Sequence, residues 1–596
     1  MLEQMTEKSV QAWLNDPAIE EVDKTEIRRL VESRDDAGLT DRFYQDLEFG
    51  TGGMRVLGAG RNRMNVYTVG SAIQGLANYI SKSGEAAKRP ALPLPMIAGR
   101  MSDVFAERAA CVLAANGIYA YLFDALRPTP ELSFAVRHLK CTAGIVITAS
   151  HNPPEYNGLK VYWSDGAQVV PPQDGAIISE VRAVGSFSNV RLAEEGPEKK
   201  HGLIRRIGTE IDEAFLAGVD ASCLCPELCR KHGERIKIVY TPLHGTGYRL
   251  VPEALKRRGF RNVMVEASQS EPNGEFPTVT SPNPEEAAAM ERGIALAIKE
   301  NAELVIATDP DADRAGIAVR KRDGSFALLT GNRIGALLTH FICEQSKANG
   351  AMPDNGVVLS TVVSSDLAKE IARSHGAEVI ETLTGFKWIA EEIRKFDECG
   401  AGERPTKTFL FGMEESYGYL PNAFVRDKDA VTSCAFIADA AAFAAERGQS
   451  LYDMLEALFT QYGYFEEGAK SVTMKGKRGA DQIKALMHSL RENPPRSLAG
   501  VAVETVADLM TGAVRRARDG AEVGRFKLPA SDVVMFSLAD GTKVIARPSG
   551  TEPKIKFYIL ARSAEKNLAK AESACREKIA AINNDLSGTI ERTTNG

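Results

Sequence analysis

Five short, nearly continuous apolar runs recur along the chain: GIVITAS, RIKIVYTPL, AELVIATDP, NGVVLSTVV and KTFLFGMEES. Stretches of helical character such as ALKRRGF and GNRIGALLTHFICEQ separate them. A strand that is apolar on both faces needs cover on both faces, so this alternation demands α/β domains built on buried parallel or mixed sheets. Several of the runs end in a polar motif. In open α/β sheets ligands bind beyond the carboxyl ends of the strands, so these ends are where chemistry is expected.

With 596 residues the chain exceeds a single core, and about 150 residues per domain gives three to five domains. Polar stretches at EEGPEKKHG, KRDGSF and YGYFEEGAK divide it into four parts, read as 1–210, 211–327, 328–460 and 461–596. The first three share the α/β pattern without a convincing internal sequence repeat. The last contains VVMFSLADGTKVIARPSG and KIKFYILAR followed by a long charged helix, which predicts an α+β domain.

A composition of 44% hydrophobic and 26% charged residues is that of a soluble globular protein. The formal net charge of −6 gives no general attraction to nucleic acid, so an anion site must be made by a few placed cations. No run of about 18 apolar residues exists, and the polar start MLEQMTEKSV is unlike a signal peptide, which reads as a cytoplasmic protein without a membrane partner. Nine cysteines, an odd number widely scattered, read as reduced thiols. Cys223, Cys225 and Cys229, with His232 beyond them, offer four soft zinc ligands. Their spacing lacks the paired C-x2-C knuckles of structural zinc sites, and cysteines packed in a helical linker are the preferred reading.

In GIVITASHNPPEYNGLK the strand stops at Ser150, His151 and Asn152. These residues and the prolines can be mere turn punctuation, or Ser150 can be a nucleophile on a rigid support, with Lys160 brought back by the Asn157-Gly158 turn. A serine-hydrolase elbow needs G-x-S-x-G, and Thr148 and Asn152 stand where its glycines belong. ATDPDADRAG places Asp309, Asp311 and Asp313 at alternate positions. On a straight strand the outer two would be about 13 Å apart, too far for ligands that sit about 2.1 Å from one Mg²⁺, so the run must curl into a loop. The EF-hand alternative fails, because Arg314 and Arg320 stand where that loop needs glycine and glutamate.

ARPSGTEPKIK gathers Arg547, Ser549, Gly550, Thr551 and Lys554 in one turn, either a phosphate cradle or a plain hairpin. EFGTGGMR, with Thr51, Gly52, Gly53 and Arg55, is a second small-residue loop ending in a cation, and it is not a Walker A loop. FGMEESYGYL ends a strand with Glu414 and Ser416, which can bond sugar hydroxyls while Tyr417 or Tyr419 packs nearby. TLTGFKW, with Thr384, Gly385 and Lys387, and VRDKDAV, with Lys428, add lysines beside turns.

Taken together and in this order, these motifs resemble those of the α-D-phosphohexomutase superfamily, the phosphoglucomutases and phosphomannomutases. TASHNPPEYNGLK is similar to its phosphoserine loop, DPDADR to its metal loop, GMEESYGY to its sugar loop and RPSGTEPK to its phosphate loop. The resemblance implies four domains in a heart shape around a cleft, the last like a TATA-binding-protein fold. It also implies Mg²⁺ on Asp309, Asp311 and Asp313 with Ser150 as a further ligand, and a phosphosugar substrate with glucose 1,6-bisphosphate as activator.

Ser150 would carry the phosphoryl group, and Arg55 and Arg314 would hold its oxygens. Lys160 would exchange the proton with the sugar hydroxyl, with His151 as the rival. Arg547, Ser549, Gly550 and Thr551 would grip the non-reacting phosphate, and Thr384, Gly385, Lys387, Glu414, Ser416 and Lys428 would face the sugar. The sugar loop departs from the common G-E-x-S-G-H form, with tyrosine and glycine following Ser416. This resembles the phosphoglucomutase and phosphopentomutase-like branch and leaves phosphomannomutase, phosphopentomutase and bisphosphate synthase activities as alternatives. A non-catalytic sugar-phosphate binder is the farther alternative.

Overall fold

The computed structural model describes residues 4–45, 55–84, 91–95, 100–193, 202–398, 405–474, 476–549 and 554–595, with 91–95 and a few helix-end positions described in their backbone alone. The chain forms two compact units. One comprises Met1–Gly331, Phe386–Phe411 and Ser416–Gly448, and the other Asn332–Gly385, Gly412–Glu415 and Gln449–Gly596.

In the first unit, one five-stranded sheet has the order Leu159–Trp163, Ala143–Ile147, Ala91–Pro95, Ala120–Phe123, Ile204–Ile207. Its pairs are parallel except at the edge, where Leu159–Trp163 returns antiparallel and sets Lys160 opposite Val146. All five residues of Ala143–Ile147 are buried, as a run apolar on both faces requires. Helices Val66–Lys82 and Ser102–Ala115 cover one face, where Ile73, Leu76, Phe105 and Val112 join Ile145 and Ile147 in one core. On the other face Leu132 and Val136 of helix Thr129–His138 cluster with Val146 and Tyr162.

A second five-stranded sheet has the order Phe326–Leu328, Ala315–Arg320, Leu304–Thr308, Lys237–Thr241, Asn262–Val265. The last three strands are parallel and the first two antiparallel. Both sheets therefore set a parallel strand that ends in a motif beside an antiparallel strand that returns from it. This is a structural repeat that the residues do not spell out, because any β-branched and small apolar residues satisfy the same buried positions.

Two of the polar stretches read as breaks are parts of sheets. KRDGSF is the turn joining Ala315–Arg320 to Phe326–Leu328, closed by the Lys321 N–H to the Ser325 carbonyl at 2.7 Å. YGYFEEGAK enters the ten-residue strand Tyr464–Thr473, paired along its length with Lys554–Ser563. Its polarity is that of a strand with one face to solvent.

In the second unit, Gly356–Thr361 pairs in parallel with Glu378–Thr382. The last part of the chain is an antiparallel sheet ordered Tyr464–Thr473, Lys554–Ser563, Lys543–Pro548, Val534–Leu538, Val501–Asp508, Ala513–Arg516, Glu522–Arg525. Leu486 and Leu490 of helix Gly476–Glu492, and Ile582 and Leu586 of helix Leu568–Asn595, pack against Val534, Phe536 and Phe557 of this sheet. The architecture is three α/β domains followed by an α+β domain.

Candidate active site

The strand Ala143–Ile147 delivers Ser150 into a tight turn in which its φ is +48°. This left-handed conformation costs a non-glycine residue about 1–3 kcal/mol, so surrounding bonds must hold it. They are present: the Ser150 N–H donates to Thr148 Oγ1 at 2.8 Å, and the buried Arg100 guanidinium donates to the Ser150 carbonyl at 3.3 Å and to the Asn152 carbonyl. Asn157 in turn ties the returning chain to the Arg100 carbonyl at 2.7 Å.

Leu304–Thr308 ends in the second loop. Asp309, Asp311 and Asp313 are fully or almost fully buried, and one carboxylate oxygen from each lies within 4.8 Å of the others. The run curls as convergence requires: Asp309 Oδ1 accepts from the backbone N–H groups of Asp313 at 3.2 Å and Arg314 at 3.0 Å, and Ala312 has φ +50°. Ser150 Oγ donates to Asp309 Oδ2 at 2.5 Å, so the tip of one sheet's motif touches the tip of the other's. Thr148 and Thr129 hydroxyls donate to Asp311 Oδ2 at 3.3 and 3.4 Å.

Three cations surround the carboxylates. Lys160 Nζ lies 3.7 Å from Asp311 and 3.8 Å from Asp313, Lys428 Nζ lies 3.1 Å from Asp313, and Arg314 Nε lies 3.8 Å from Asp313. Burial and the charges of Asp311 and Asp313 push the Asp309 carboxyl well above the usual range. Burial also acts to raise Asp313, but Lys428, Lys160 and Arg314 outweigh it and hold that carboxyl low. Arg314 donates to His151 Nδ1 at 2.9 Å, and the same nitrogen is 3.1 Å from Ser150 Oγ. Burial first, then Arg314, pushes the His151 imidazole down to about 3, so it stands neutral as an acceptor.

Asp311 Oδ1 and Asp313 Oδ1 are buried without a hydrogen-bond partner among the described residues. A buried carboxylate oxygen without a hydrogen bond is costly, and two of them in a cluster where one oxygen of each aspartate lies within 4.8 Å of the others suit a hard divalent cation. The donor set therefore fits Mg²⁺.

Arg55 pairs in the short bridge Arg55↔Asn157 beside the serine loop, and its Nε donates to Asn62 at 2.8 Å. Lys387 lies 5.3 Å over the Trp388 ring and lines a cavity with Gln168 and Arg394 rather than joining the aspartate cluster. Ser416 begins the turn that leads to Tyr419, and the Tyr417 and Tyr419 hydroxyls donate to the carbonyls of Leu329 and Gly331, each at 3.0 Å. Both tyrosines anchor this turn with their hydroxyls committed to backbone. Arg100, Thr129 and Thr148 had no signal in the sequence, since they act on a loop tip or on a carboxylate supplied from another segment.

In the second unit, the Gly385 N–H donates to Glu414 Oε1 at 2.7 Å, next to Thr384, and Thr361 donates to Glu415 at 3.1 Å. Burial and Glu415 push the Tyr558 phenol up to about 12, against the nearby Arg547 guanidinium, with Glu414 adding to the rise. Arg547 stands opposite Lys556 at the end of a hairpin, where the Ser549 N–H donates to the Lys554 carbonyl at 2.7 Å. Gly550 and Thr551, like Thr51, Gly52 and Gly53, lie outside the described residues.

A strand-end serine against a buried acidic triad is an arrangement suited to phosphoryl chemistry, and comparison with known proteins gives a family of that class. Three successive profiles of phosphoglucomutase/phosphomannomutase match: alpha/beta/alpha domain I over residues 46–186, domain II over 213–324 and domain III over 330–462. The chain belongs to the phosphoglucomutase/phosphomannomutase family, and it is a mutase.

A phosphoglucomutase of Staphylococcus epidermidis is 37% identical over 515 residues, covering 86% of this chain and 90% of the relative. One from Staphylococcus aureus is 35% identical over 535 residues, covering 89% and 93%. The crystal structure of pp63/parafusin, a phosphoglucomutase from Paramecium, superposes with a TM-score of 0.63 at 17% identity over 89% of this chain and 92% of that one. A phosphoglucomutase/phosphomannomutase family protein from Burkholderia thailandensis gives 0.60 at 17% identity over 91% and 96%. These two show the shared fold.

Proposed function

We propose that the protein interconverts glucose 1-phosphate and glucose 6-phosphate through a phosphoserine at Ser150, with glucose 1,6-bisphosphate as intermediate and activator. The observation that carries this reading is Ser150 Oγ bonded to Asp309 in a buried triad that keeps two carboxylate oxygens without a hydrogen bond among the described residues. Glucose is favoured among the sugars because the relatives at 35–37% identity are phosphoglucomutases.

Asp309, Asp311 and Asp313 would hold Mg²⁺, which when bound supplies charge neutralisation to the transferring group. Lys160, Lys428 and Arg314 already balance the three aspartates. The dication is then matched by a phosphoseryl group, whose charge is about −1.5 to −2. In transfer, the bond from phosphorus to Ser150 Oγ breaks as one forms to the sugar hydroxyl oxygen. The Lys160 ammonium gives a proton to the departing Ser150 Oγ and takes one back from the sugar hydroxyl, so the serine is restored as the bisphosphate forms and Lys160 ends as it began. The reverse step returns the other phosphoryl group to Ser150. Arg100 and the Thr148 hydroxyl hold the loop in its strained conformation throughout. Arg55 and Arg314 orient the transferring group, and Arg547 with Ser549 binds the phosphate that does not react. The reading places the enzyme in the cytoplasm, where hexose phosphates are handled. No helix among the described residues is long and apolar enough to cross a membrane.

The test is a substrate panel of glucose, mannose and ribose 1-phosphates with the bisphosphate as activator, run with and without a chelator, beside intact-mass analysis. Magnesium-dependent turnover greatest with glucose 1-phosphate, and a phosphate of about 80 Da on the Ser150 peptide, are expected. Mannose or ribose 1-phosphate as the better substrate would move the assignment within the family. Full turnover in metal-free buffer, or by Ser150→Ala, would overturn the mechanism.

A further inference from the structure

A cluster outside the phosphoryl-transfer motifs brings together three thiols and a carboxylate. Cys223 follows helix Thr209–Ala221, Cys225 precedes helix Pro226–His232 and Cys229 lies on it. Asp439 comes from the buried helix Ala430–Glu446, more than two hundred residues later. Cys223 Sγ is 3.9 Å and Cys225 Sγ 3.7 Å from Cys229 Sγ. Cys229 Sγ is 3.1 Å from Asp439 Oδ1, and Cys223 Sγ is 3.7 Å from Asp439 Oδ2. The remaining thiol, Cys225, also lies 3.9 Å from the Asp439 carbonyl.

We propose that Cys223, Cys225, Cys229 and Asp439 form a tetrahedral site for zinc that ties helix Pro226–His232 to helix Ala430–Glu446. Zinc–sulfur bonds of about 2.3 Å at the tetrahedral angle hold two sulfurs about 3.8 Å apart, and an oxygen about 2.0 Å from the metal falls about 3.5 Å from each sulfur. The two sulfur–sulfur separations at Cys229, 3.9 and 3.7 Å, straddle the first value, and Cys223, Cys229 and Asp439 each offer a ligand atom within 4.8 Å of the other two. Arg258, itself buried, donates to Asp439 Oδ2 at 2.6 Å, and its second terminal nitrogen donates to Ser222 Oγ at 2.9 Å. An outer partner that occupies Oδ2 and leaves Oδ1 toward Cys229 is what orients a ligating carboxylate. Its positive charge also offsets part of the negative charge left when the thiol protons are exchanged for the ion.

The sequence suggested His232 as fourth donor, but its Nε2 bonds Glu446 at 2.5 Å. The carboxylate that replaces it could not be found by local spacing. Asp439, Cys225 and Cys229 are buried and Cys223 is half-buried, so the donors lie out of bulk water with one thiol as the route in.

The experiment is metal analysis of the chain purified in reducing, chelator-free buffer, followed by exchange to cobalt(II) as probe. About one zinc per chain is expected, released by a thiol-blocking mercurial. Cobalt is expected to give the intense visible bands of a tetrahedral ion and thiolate charge transfer in the near ultraviolet. Both signals should be lost in Cys229→Ser, weakened in Asp439→Asn, and kept in His232→Ala and Asp311→Asn, the last separating this site from the acidic triad. The wild-type cobalt spectrum decides even where Cys229→Ser fails to fold. Weak octahedral absorption only, charge transfer that survives in folded Cys229→Ser, or a Cys225–Cys229 disulfide in place of metal would each overturn the proposal.

Discussion

Ser150 is the residue where backbone strain and the proposed phosphoryl transfer coincide. Its φ of +48° turns the side chain out of the strand's alternation and toward Asp309. Glycine adopts that conformation without the Cβ penalty, so Ser150→Gly should unfold at the same free energy or up to about 1 kcal/mol higher, while Ser150→Ala should not gain. Both should lose turnover. Chemical denaturation beside activity measurement reads this, and a Ser150→Gly chain clearly less stable than Ser150→Ala would refute the strain. The proton role is tested similarly. Lys160→Met should lower kcat by about 10²–10⁴-fold and slow phosphorylation of Ser150 by the bisphosphate to a similar degree, and His151→Asn should lose less. Equal losses in the two variants would assign the proton elsewhere. Ser150 and the three aspartates were legible as residue types at strand ends. Arg100 was not, because it works through two backbone carbonyls about fifty residues away.

At the scale of elements, the aspartate loop is shaped from beneath by the segment TPLHGTG that ends strand Lys237–Thr241. The Thr246 N–H and hydroxyl both donate to the Pro310 carbonyl, at 2.8 and 3.1 Å. A Cβ at Gly245 would come within 2.4 Å of Pro310 Cα and 2.6 Å of its carbonyl oxygen, both backbone atoms that cannot swing aside. Gly245→Ala should therefore destabilise the chain by about 1–3 kcal/mol and displace the aspartate loop. The activity of the folded variant should then need more Mg²⁺ for half-saturation. A magnesium titration alongside thermal unfolding checks this, and an unchanged requirement would show the loop keeps its shape without that close approach. The strands were legible because apolar runs with polar ends are a local pattern. The repeated device of a motif strand with an antiparallel return was not, since pairing joins residues that are distant in sequence.

For the whole molecule, the phosphate motif belongs to a different compact unit from the serine and the aspartates. Within its own unit Arg547 stands beside Tyr558, whose phenol also feels Glu414 and Glu415. Removing a grip on the non-reacting phosphate takes away binding energy that also orients the substrate. Arg547→Ala should therefore raise KM and lower kcat together and release more free glucose 1,6-bisphosphate during turnover. Steady-state kinetics with an assay for the released bisphosphate test it. Unchanged constants and release would leave RPSGTEPK as a hairpin turn only.

The sequence by itself determined the α/β class, the α+β end, the strand-end serine and the need for Asp309, Asp311 and Asp313 to curl into a loop if they are to converge. Each follows from periodicity, turn chemistry or charge repulsion within about a dozen residues. Only the tertiary structure decided which groups meet: Lys428 at Asp313, Arg314 at His151, Arg100 under the serine loop and Asp439 at Cys229. It also made a hairpin turn of one polar stretch that read as a break and a strand of another. Those outcomes depend on which buried faces pack together, and a carboxylate or guanidinium carries no local mark of the distant partner that will compensate its charge.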